Sequence, residues 1–312
     1  MLDVLFGAHR VPQRHRRPGS AEPSISTLGS HVDEALNIGD RVGPYTIASL
    51  LGEGGMGRVY AAQAPEGGQV ALKIVRSSLV NDETFLRRFQ REARAAATVV
   101  HSHVVSVLDV GVDGERHYMA LELVRGGSLQ DQIDETGALA LESVVRVALE
   151  VSSALDALHG AGLVHRDVKP ANIMLDEQGS SRLTDFGLAK QRDASVLTKL
   201  GQTVGSMDYM APEQIRGEAE LTGAADVYSL GCVVYECVAG QAPFADREGM
   251  RILWAHLQEE PEDPCRQRSD APSSLGWAVN QALGKEPGSR PSTATAYARM
   301  VQMAAGHPGG SS

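Results

Sequence analysis

This sequence of 312 residues has few of the features that define secreted, membrane or metal-binding proteins. Its only cysteines are Cys232, Cys237 and Cys265, and their spacing matches neither a zinc site nor a redox pair. No apolar run approaches the roughly 20 residues that span a bilayer, and an acid at Asp3 argues against a signal peptide. We therefore expect a cytoplasmic protein without a membrane span, and with buried, reduced thiols.

Positive charge is also scarce. The formal net charge is -10, which argues against a nucleic-acid partner because such partners require phosphate neutralisation. The exception is a basic start that carries Arg10, Arg14, Arg16 and Arg17 in a stretch rich in Pro, Ser and Gly. We predict a disordered arm over residues 1–40 and a flexible tail over 305–312. Composition favours a solvated arm, or residues ahead of the true start codon, over an arm that binds lipid or a partner.

Glycine is concentrated in one motif near the start of the ordered region. Gly52, Gly54 and Gly57 form Gly-x-Gly-x-x-Gly between two predicted strands, 45–50 and 59–62. A dinucleotide site needs a helix directly after these glycines. Here a strand is predicted at that position, which favours a hairpin that covers phosphates. Glycine lets backbone amides approach phosphates closely. The motif alone also fits an ordinary hairpin.

A lone lysine and a glutamate follow the hairpin. Lys73 lies within the apolar run 70–75, where an ammonium is costly unless it finds an anion. Residues 81–99 form a predicted helix with Asn81 or Asp82 as its cap, because apolar residues recur at three- and four-residue steps at Phe85, Phe89, Ala93 and Ala96. Glu92 lies towards the packed side of that helix. Neighbouring arginines leave a solvated glutamate as the alternative.

Two further segments carry the chemistry. The run 165–172 reads His-Arg-Asp-Val-Lys-Pro-Ala-Asn, and Asp-Phe-Gly follows at 185–187. Together they supply an acceptor for a hydroxyl, a cation for a phosphoryl group and two oxygen ligands for Mg²⁺. With the elements above and Ala-Pro-Glu at 211–213, this ordered set resembles the eukaryotic-like serine/threonine protein kinases of bacteria, over about residues 45–303.

The resemblance implies an α+β, bilobal protein-kinase fold. A small, β-rich N-lobe with one helix would cover residues 41–124, and a larger α-helical C-lobe would cover 125–304. The apolar spacing over 141–158 predicts a long amphipathic helix, and the almost wholly apolar run 226–238 predicts a helix buried in the large lobe. In that position Asp226 would accept hydrogen bonds from backbone amides of the catalytic loop, although a helix N-terminal acid explains it equally well.

The resemblance also assigns roles. Asp167 would orient the substrate hydroxyl, and Lys169 would neutralise the transferred phosphoryl group. Lys73 would bind the α- and β-phosphates of ATP and pair with Glu92. The metal ligands would be Asn172 and Asp185, for Mg²⁺ or alternatively Mn²⁺. The residues expected around ATP are Leu51, Gly52, Gly54, Gly57, Val59, Ala71, Lys73, Leu121, Glu122 and Val124, of which Glu122 and Val124 would bind adenine through their backbone.

Residues after the catalytic aspartate bear on the substrate. Lys169-Pro170 is the serine/threonine pattern, so we expect protein substrates with Ser or Thr acceptors. Ser206 replaces the usual threonine beside the acceptor site. The resemblance to bacterial members of the family, which commonly phosphorylate themselves, makes the chain itself an expected substrate. The candidate acceptors are Thr198 and Thr203, ahead of Ser195. Arg166 would bind the phosphorylated loop through its guanidinium. Glu213 would form a buried ion pair with Arg290.

Two other functional classes remain open at this point. One is a pseudokinase that binds nucleotide and acts as a scaffold, although every catalytic position holds a competent residue. The other is a small-molecule phosphotransferase, against which the Ala-Pro-Glu element and the long activation segment argue. A homodimer formed through the small lobes is one route for regulation.

Overall fold

A computed structural model describes residues 35–185 and 207–306. Most of the predicted arm, most of the tail, and the candidate acceptors Ser195, Thr198 and Thr203 lie outside these residues. The described chain has a small part built on a β-sheet and a larger part built from helices. The predicted α+β bilobal fold is thus confirmed.

The small part is one antiparallel sheet of six strands in the order β1-β2-β3-β4-β6-β5. The strands are β1 Arg41–Val42, β2 Tyr45–Gly54, β3 Gly57–Gln63, β4 Gln69–Val75, β5 Val107–Asp113 and β6 Arg116–Glu122. The glycine motif forms the end of the β2–β3 hairpin, as predicted. Gly57 is required there, because its φ is 147° and a Cβ would lie 1.9 Å from the carbonyl oxygen of Ile74.

Two helices follow β4, α1 Ser77–Val80 and α2 Glu83–Ala96. Asp82 caps α2 by accepting hydrogen bonds from the backbone N–H groups of Thr84 and Phe85. The predicted apolar face is buried, and Phe85 and Phe89 stack with ring centroids 6.2 Å apart. The helix is shorter than predicted at both ends.

The larger part contains a hairpin and seven α-helices within the described residues. The hairpin is β7 Ile173–Leu175 and β8 Ser181–Leu183; the helices are α3 Leu129–Thr136, α4 Leu141–Gly160, α5 Pro212–Ile215, α6 Gly223–Ala239, α7 Met250–Gln258, α8 Ser273–Asn280 and α9 Ala294–Ala305. Helix α4 packs against α6 and α9. Helix α6 is buried almost all round, as its composition predicts.

One apolar core joins the two parts. It runs from Phe85 and Phe89 of α2, through Leu121 of β6, into α4 and α6. A separate cluster fills the opposite side of the sheet around Tyr60 and Leu72. All three cysteines are buried free thiols, as predicted. Within residues 35–185 and 207–306, no helix is both long and apolar enough to cross a bilayer.

Helix α7 is held on α6 by a buried histidine. The ring nitrogen Nδ1 of His256 lies 2.8 Å from the hydroxyl of Tyr228, and the ring meets Phe244 edge-on at 5.1 Å. Burial lowers the pKa of His256 to about 3. Folded His256 is therefore neutral at pH 5, whereas in the unfolded chain it takes up a proton below about pH 6.5. Proton uptake then stabilises the unfolded state as the pH falls below that value.

We predict that the His256→Gln variant loses part of the acid sensitivity of the wild type. The wild-type free energy of unfolding should fall by about 2 kcal/mol more than that of the variant between pH 7 and pH 5, since only the wild type binds this proton on unfolding. Urea denaturation at both pH values measures the difference. Parallel pH profiles for the two proteins would contradict the prediction.

Candidate active site

The catalytic loop is fixed by a buried carboxylate from α6. Asp226 is fully buried and accepts hydrogen bonds from the backbone N–H groups of His165, at 2.8 Å, and Arg166, at 2.7 Å. His159 donates from Nε2 to the same carboxylate at 2.7 Å. These contacts confirm the predicted contact of Asp226 with the loop and satisfy a charge that would otherwise be costly to bury.

Two residues of the site have left-handed backbone conformations that residues other than glycine rarely adopt. The φ angles are 65° at Arg166 and 59° at Asp185. Such residues cost about 1–3 kcal/mol each and persist where their surroundings hold them. Arg166 is held at both backbone groups, because Asp226 accepts from its N–H and the side-chain amide of Gln214 donates to its carbonyl oxygen at 3.0 Å.

The catalytic loop is joined to the strand that leads to Asp185. His165 is buried, and its Nε2 donates to the carbonyl oxygen of Thr184 at 3.0 Å while its Nδ1 accepts from the N–H of Asp167 at 3.3 Å. Burial lowers the pKa of His165, which favours this neutral tautomer. The N–H of Thr184 donates to the carbonyl oxygen of Asn172 at 2.9 Å. Asn172 and Asp185 are therefore brought to one end of the β7–β8 hairpin.

The proposed catalytic pair lies together on this loop. The ammonium of Lys169 is 3.3 Å from Oδ2 of Asp167, and both side chains are largely shielded from solvent. Asn172 donates from Nδ2 to the carbonyl oxygen of Asp167 at 2.8 Å, which fixes the loop below it. A hydrogen-bond acceptor and a cation so close together can contact a hydroxyl and a phosphoryl group that react with each other.

Lys73 has a different partner from the predicted one. Its Nζ lies 2.7 Å from Oδ1 of Asp185, although the two residues are 112 positions apart. The lysine side chain is 7% exposed, so its buried ammonium has found the anion that its strand position requires. The predicted ion pair between Lys73 and Glu92 is not formed within the described residues.

Glu92 faces the catalytic loop instead. Its carboxylate lies 3.6 Å from a guanidinium nitrogen of Arg166 and 3.7 Å from one of Arg91. Burial raises the pKa of Glu92, against the opposing effect of these cations. A cavity of about 380 Å³ is lined by Arg91, Glu92 and Ala95 of α2 and by residues of the segment 158–166.

The residues predicted around ATP share one face of the sheet. Val59 pairs with Lys73 in register, and Ala71 pairs with Leu121. Directly paired residues, and residues two apart in one strand, lie on the same face. That face looks towards the helices, because Leu121 belongs to the core shared with them.

The ends of the strands carry the rest of the predicted ATP-binding set. Leu51 lies where the register shifts between Leu50 and Gly52, and it is partly exposed. Gly52 and Gly54 lie in β2 beside Gly57 of β3. Glu122 is the last residue of β6, and Val124 follows it. The predicted set thus lies on one face of these strands and at their ends, and its role as the ATP site stays a prediction.

The donor set fits a hard divalent cation. The amide nitrogen of Asn172 is committed to the carbonyl of Asp167, so its Oδ1 is the end turned away from that bond. The carboxylate of Asp185 is partly exposed at the same end of the hairpin. One amide oxygen and one carboxylate suit Mg²⁺, which keeps water and phosphate oxygens as its other ligands.

A buried ion pair connects two segments of the large part. Arg290 donates to both carboxylate oxygens of Glu213, at 2.7 and 2.8 Å, and to the carbonyl oxygens of Gly284 and Ala224. Its guanidinium also lies 4.9 Å from the centre of the Tyr228 ring. The predicted pair of Glu213 with Arg290 is confirmed.

Three contributors to the site were not recognised in the sequence. His159 and Gln214 support the loop through long-range contacts that no local spacing indicates. Arg182 of β8 donates to the carboxylate of Glu122 at 2.6 Å. Arg182 is the lone cation of a short strand, between Ser181 and Leu183. The same kind of signal, a cation within a strand, indicated that Lys73 needs an anion.

Comparisons with known proteins agree with this geometry. The sequence matches the protein kinase domain model over residues 45–302, and the chain belongs to this family. It is 38% identical over 251 residues to a probable serine/threonine-protein kinase, CPE1738, of Clostridium perfringens. It is 36% identical over 259 residues to the serine/threonine-protein kinase PrkC of Bacillus subtilis. The predicted resemblance to bacterial serine/threonine kinases is confirmed.

The chain matches only part of the length of these relatives but the whole of a solved kinase domain. The two alignments cover 80% and 82% of this chain but 36% and 40% of the relatives, so the chain spans less than half of their length. The crystal structure of the Mycobacterium tuberculosis PknI kinase domain has a TM-score of 0.72 and 31% identity, with 88% of this chain and 100% of that chain covered. The described architecture is therefore that of a protein kinase domain.

We predict that the Glu213→Gln variant is destabilised by about 3–5 kcal/mol, because it leaves the guanidinium of Arg290 buried without a counterion. Urea denaturation gives the free energy of unfolding. The double variant with Arg290→Met should lose less than the sum of the two single variants, since the stranded charge is removed as well. Strict additivity would contradict the ion-pair explanation.

Proposed function

We propose that this chain transfers the γ-phosphoryl group of ATP to serine and threonine hydroxyls of protein substrates, with Mg²⁺, or alternatively Mn²⁺, as the metal. The supporting observation is the set of contacts that joins Lys73 to Asp185, Asp167 to Lys169, and Asn172 to the carbonyl oxygen of Asp167. The family and the named activities of its relatives support the same function. We further propose that the protein works in the cytoplasm, where ATP is available and its free thiols stay reduced.

In the proposed reaction Asp167 accepts a hydrogen bond from the substrate hydroxyl. A carboxylate with a reference pKa near 3.9 is a weak base towards an alcohol, so its main contribution is orientation, and it takes the proton late. Lys169, held 3.3 Å away, neutralises charge on the moving phosphoryl group. A bound metal would supply further charge neutralisation, and Asn172 and Asp185 would hold it.

The ion pairs seen here require a rearrangement before transfer. Lys73 must leave Asp185 to reach the phosphates, and Glu92 must leave Arg166 to support Lys73. Glu92 is carried by α2, so its exchange of partner requires a shift of this helix, whereas the exchange at Lys73 involves β4 and the end of the β7–β8 hairpin. Arg166, once freed from Glu92, would be available for a phosphate on Thr198 or Thr203, which lie outside the described residues.

We also propose that small lobes pair in a homodimer. Five large apolar side chains among the described residues of the small part are at least half exposed, namely Ile38, Leu50, Val100, Leu108 and Val112. Leu108 and Val112 both lie in β5, at the edge of the sheet, where a second copy could cover them.

We predict that Lys73→Met and Asp185→Asn each reduce label transfer from [γ-³²P]ATP to a generic basic protein by about 100-fold or more, because the first removes a cation from the α- and β-phosphates and the second removes a ligand of the metal. Glu262→Gln is the matched control, since that carboxylate is exposed and pairs with nearby Arg266. Its activity should equal that of the wild type.

The same assay separates the alternatives. Nucleotide binding without any transfer by the wild type would indicate a scaffolding pseudokinase. Transfer to small hydroxyl compounds but not to protein would indicate a small-molecule phosphotransferase. Equal label incorporation by the wild type and both variants would remove the enzyme assignment.

We predict autophosphorylation within the segment 192–207, at Thr198 or Thr203, after incubation with ATP and Mg²⁺. Mass-spectrometric phosphopeptide mapping detects it, with Asp185→Asn as the control that should stay unmodified. The Arg166→Gln variant should still incorporate phosphate there but respond less to it, because the clamping guanidinium is absent. An unmodified segment in an active wild type would refute this mode of activation.

A further inference from the structure

The segment that follows β6 is fastened to the β7–β8 hairpin at several points. The N–H of Leu175 donates to the carbonyl oxygen of Gly127 at 2.9 Å, and Ser128 forms an antiparallel bridge with Met174. Gly126 packs directly on the hairpin, since a Cβ there would lie 2.3 Å from the carbonyl oxygen of Leu175. Residues 126–128 are therefore fixed to the large part by backbone contacts.

The other end of this segment is fixed by a side chain. Arg182 of β8 donates from Nη1 to Oε1 of Glu122 at 2.6 Å, and its Nε lies 3.9 Å from Asp176. Arg182 pairs with Met174 in the hairpin, so both side chains lie on the same face. The backbone N–H of Glu122 also donates to the carbonyl oxygen of Ser106 at 3.0 Å. Only Leu123–Arg125 then lies between two anchored points.

We propose that Arg182 is a positioning residue for adenine recognition, an inference that rests on the proposed function. The backbone groups expected to bind the adenine edge belong to Glu122 and Val124, the first of which carries the carboxylate that Arg182 holds. Backbone donors and acceptors select a base only while they are held in place, because hydrogen bonds weaken steeply with misalignment. The backbone of Glu122 is held by its pairing with Val70 of β4 and by its bond to Ser106, and Arg182 adds the side-chain contact that ties this end of the segment to the hairpin.

The ion pair is suited to a local effect. Both side chains are partly exposed, at 27% for Arg182 and 36% for Glu122, and pairs of this kind contribute little to global stability. Removing Arg182 should therefore loosen the adenine contacts while the fold and the catalytic loop stay intact. Phosphate contacts, which come from Lys73 and the glycine motif, should be unaffected.

The test uses the Arg182→Met variant, which keeps most of the side-chain volume and removes the charge. We expect the KM for ATP to rise by about 3- to 10-fold with kcat and the KM for the protein substrate within twofold, because only ground-state positioning of the base is lost. Arg182→Lys should recover part of the change. Arg266→Met is the control, since it removes an exposed ion pair far from this segment.

Direct binding makes the test independent of catalysis. ADP should bind the Arg182→Met variant more weakly by the same factor in titration calorimetry, whereas inorganic tripolyphosphate, which lacks the base, should bind both proteins equally. Glu122→Gln should reproduce the effect. The double variant should be no worse than either single one, because both lose the same contact.

The outcomes separate this inference from the proposed function. A wild type that binds ADP but transfers no phosphate would defeat the proposed function while leaving the binding test intact. An unchanged ADP affinity in Arg182→Met would overturn the positioning role. Equal losses for ADP and tripolyphosphate would overturn it too, since they would indicate a general disturbance of the cleft.

Discussion

The arrangement of the site depends on one buried carboxylate. Asp226 has no solvent to balance its charge, so it must take hydrogen bonds from the protein, and it takes two of them from consecutive backbone amides. These bonds hold Arg166 in a left-handed conformation that it would otherwise rarely adopt. The direction of the chain through Asp167 and Lys169 follows from that turn. The apolar helix α6 therefore acts as the rigid element on which the polar loop is built.

Arg166 links this support to the small part of the molecule. Its backbone belongs to the braced loop, through Asp226 and Gln214, while its side chain reaches Glu92 on α2. Any change in the partner of this guanidinium therefore changes the forces on α2. A single residue thus links the braced catalytic loop to helix α2.

Much of the fold and of the site could be predicted from local signals. The spacing of Phe85 and Phe89, and the all-round apolar character of α6, identify their helices because packing imposes those periods. The position of Lys73 in an apolar strand likewise indicates that its ammonium needs an anion. The sequence does not decide between Asp185 and Glu92 as that anion, because the choice depends on where α2 lies in space. The short helix α3 was missed because its eight residues are mostly polar. Arg182 was missed because its partner lies 60 residues away.

The contact between Lys73 and Asp185 has a thermodynamic consequence for ligand entry. Each residue is the counterion of the other, at 2.7 Å. In the proposed roles of these residues, a triphosphate without its metal would draw the ammonium away and strand the carboxylate, and a metal alone would strand the ammonium. Both ligands together would satisfy both charges. By linkage each ligand would then raise the affinity for the other, so the proposed site would favour the nucleotide and cation as one species over either by itself.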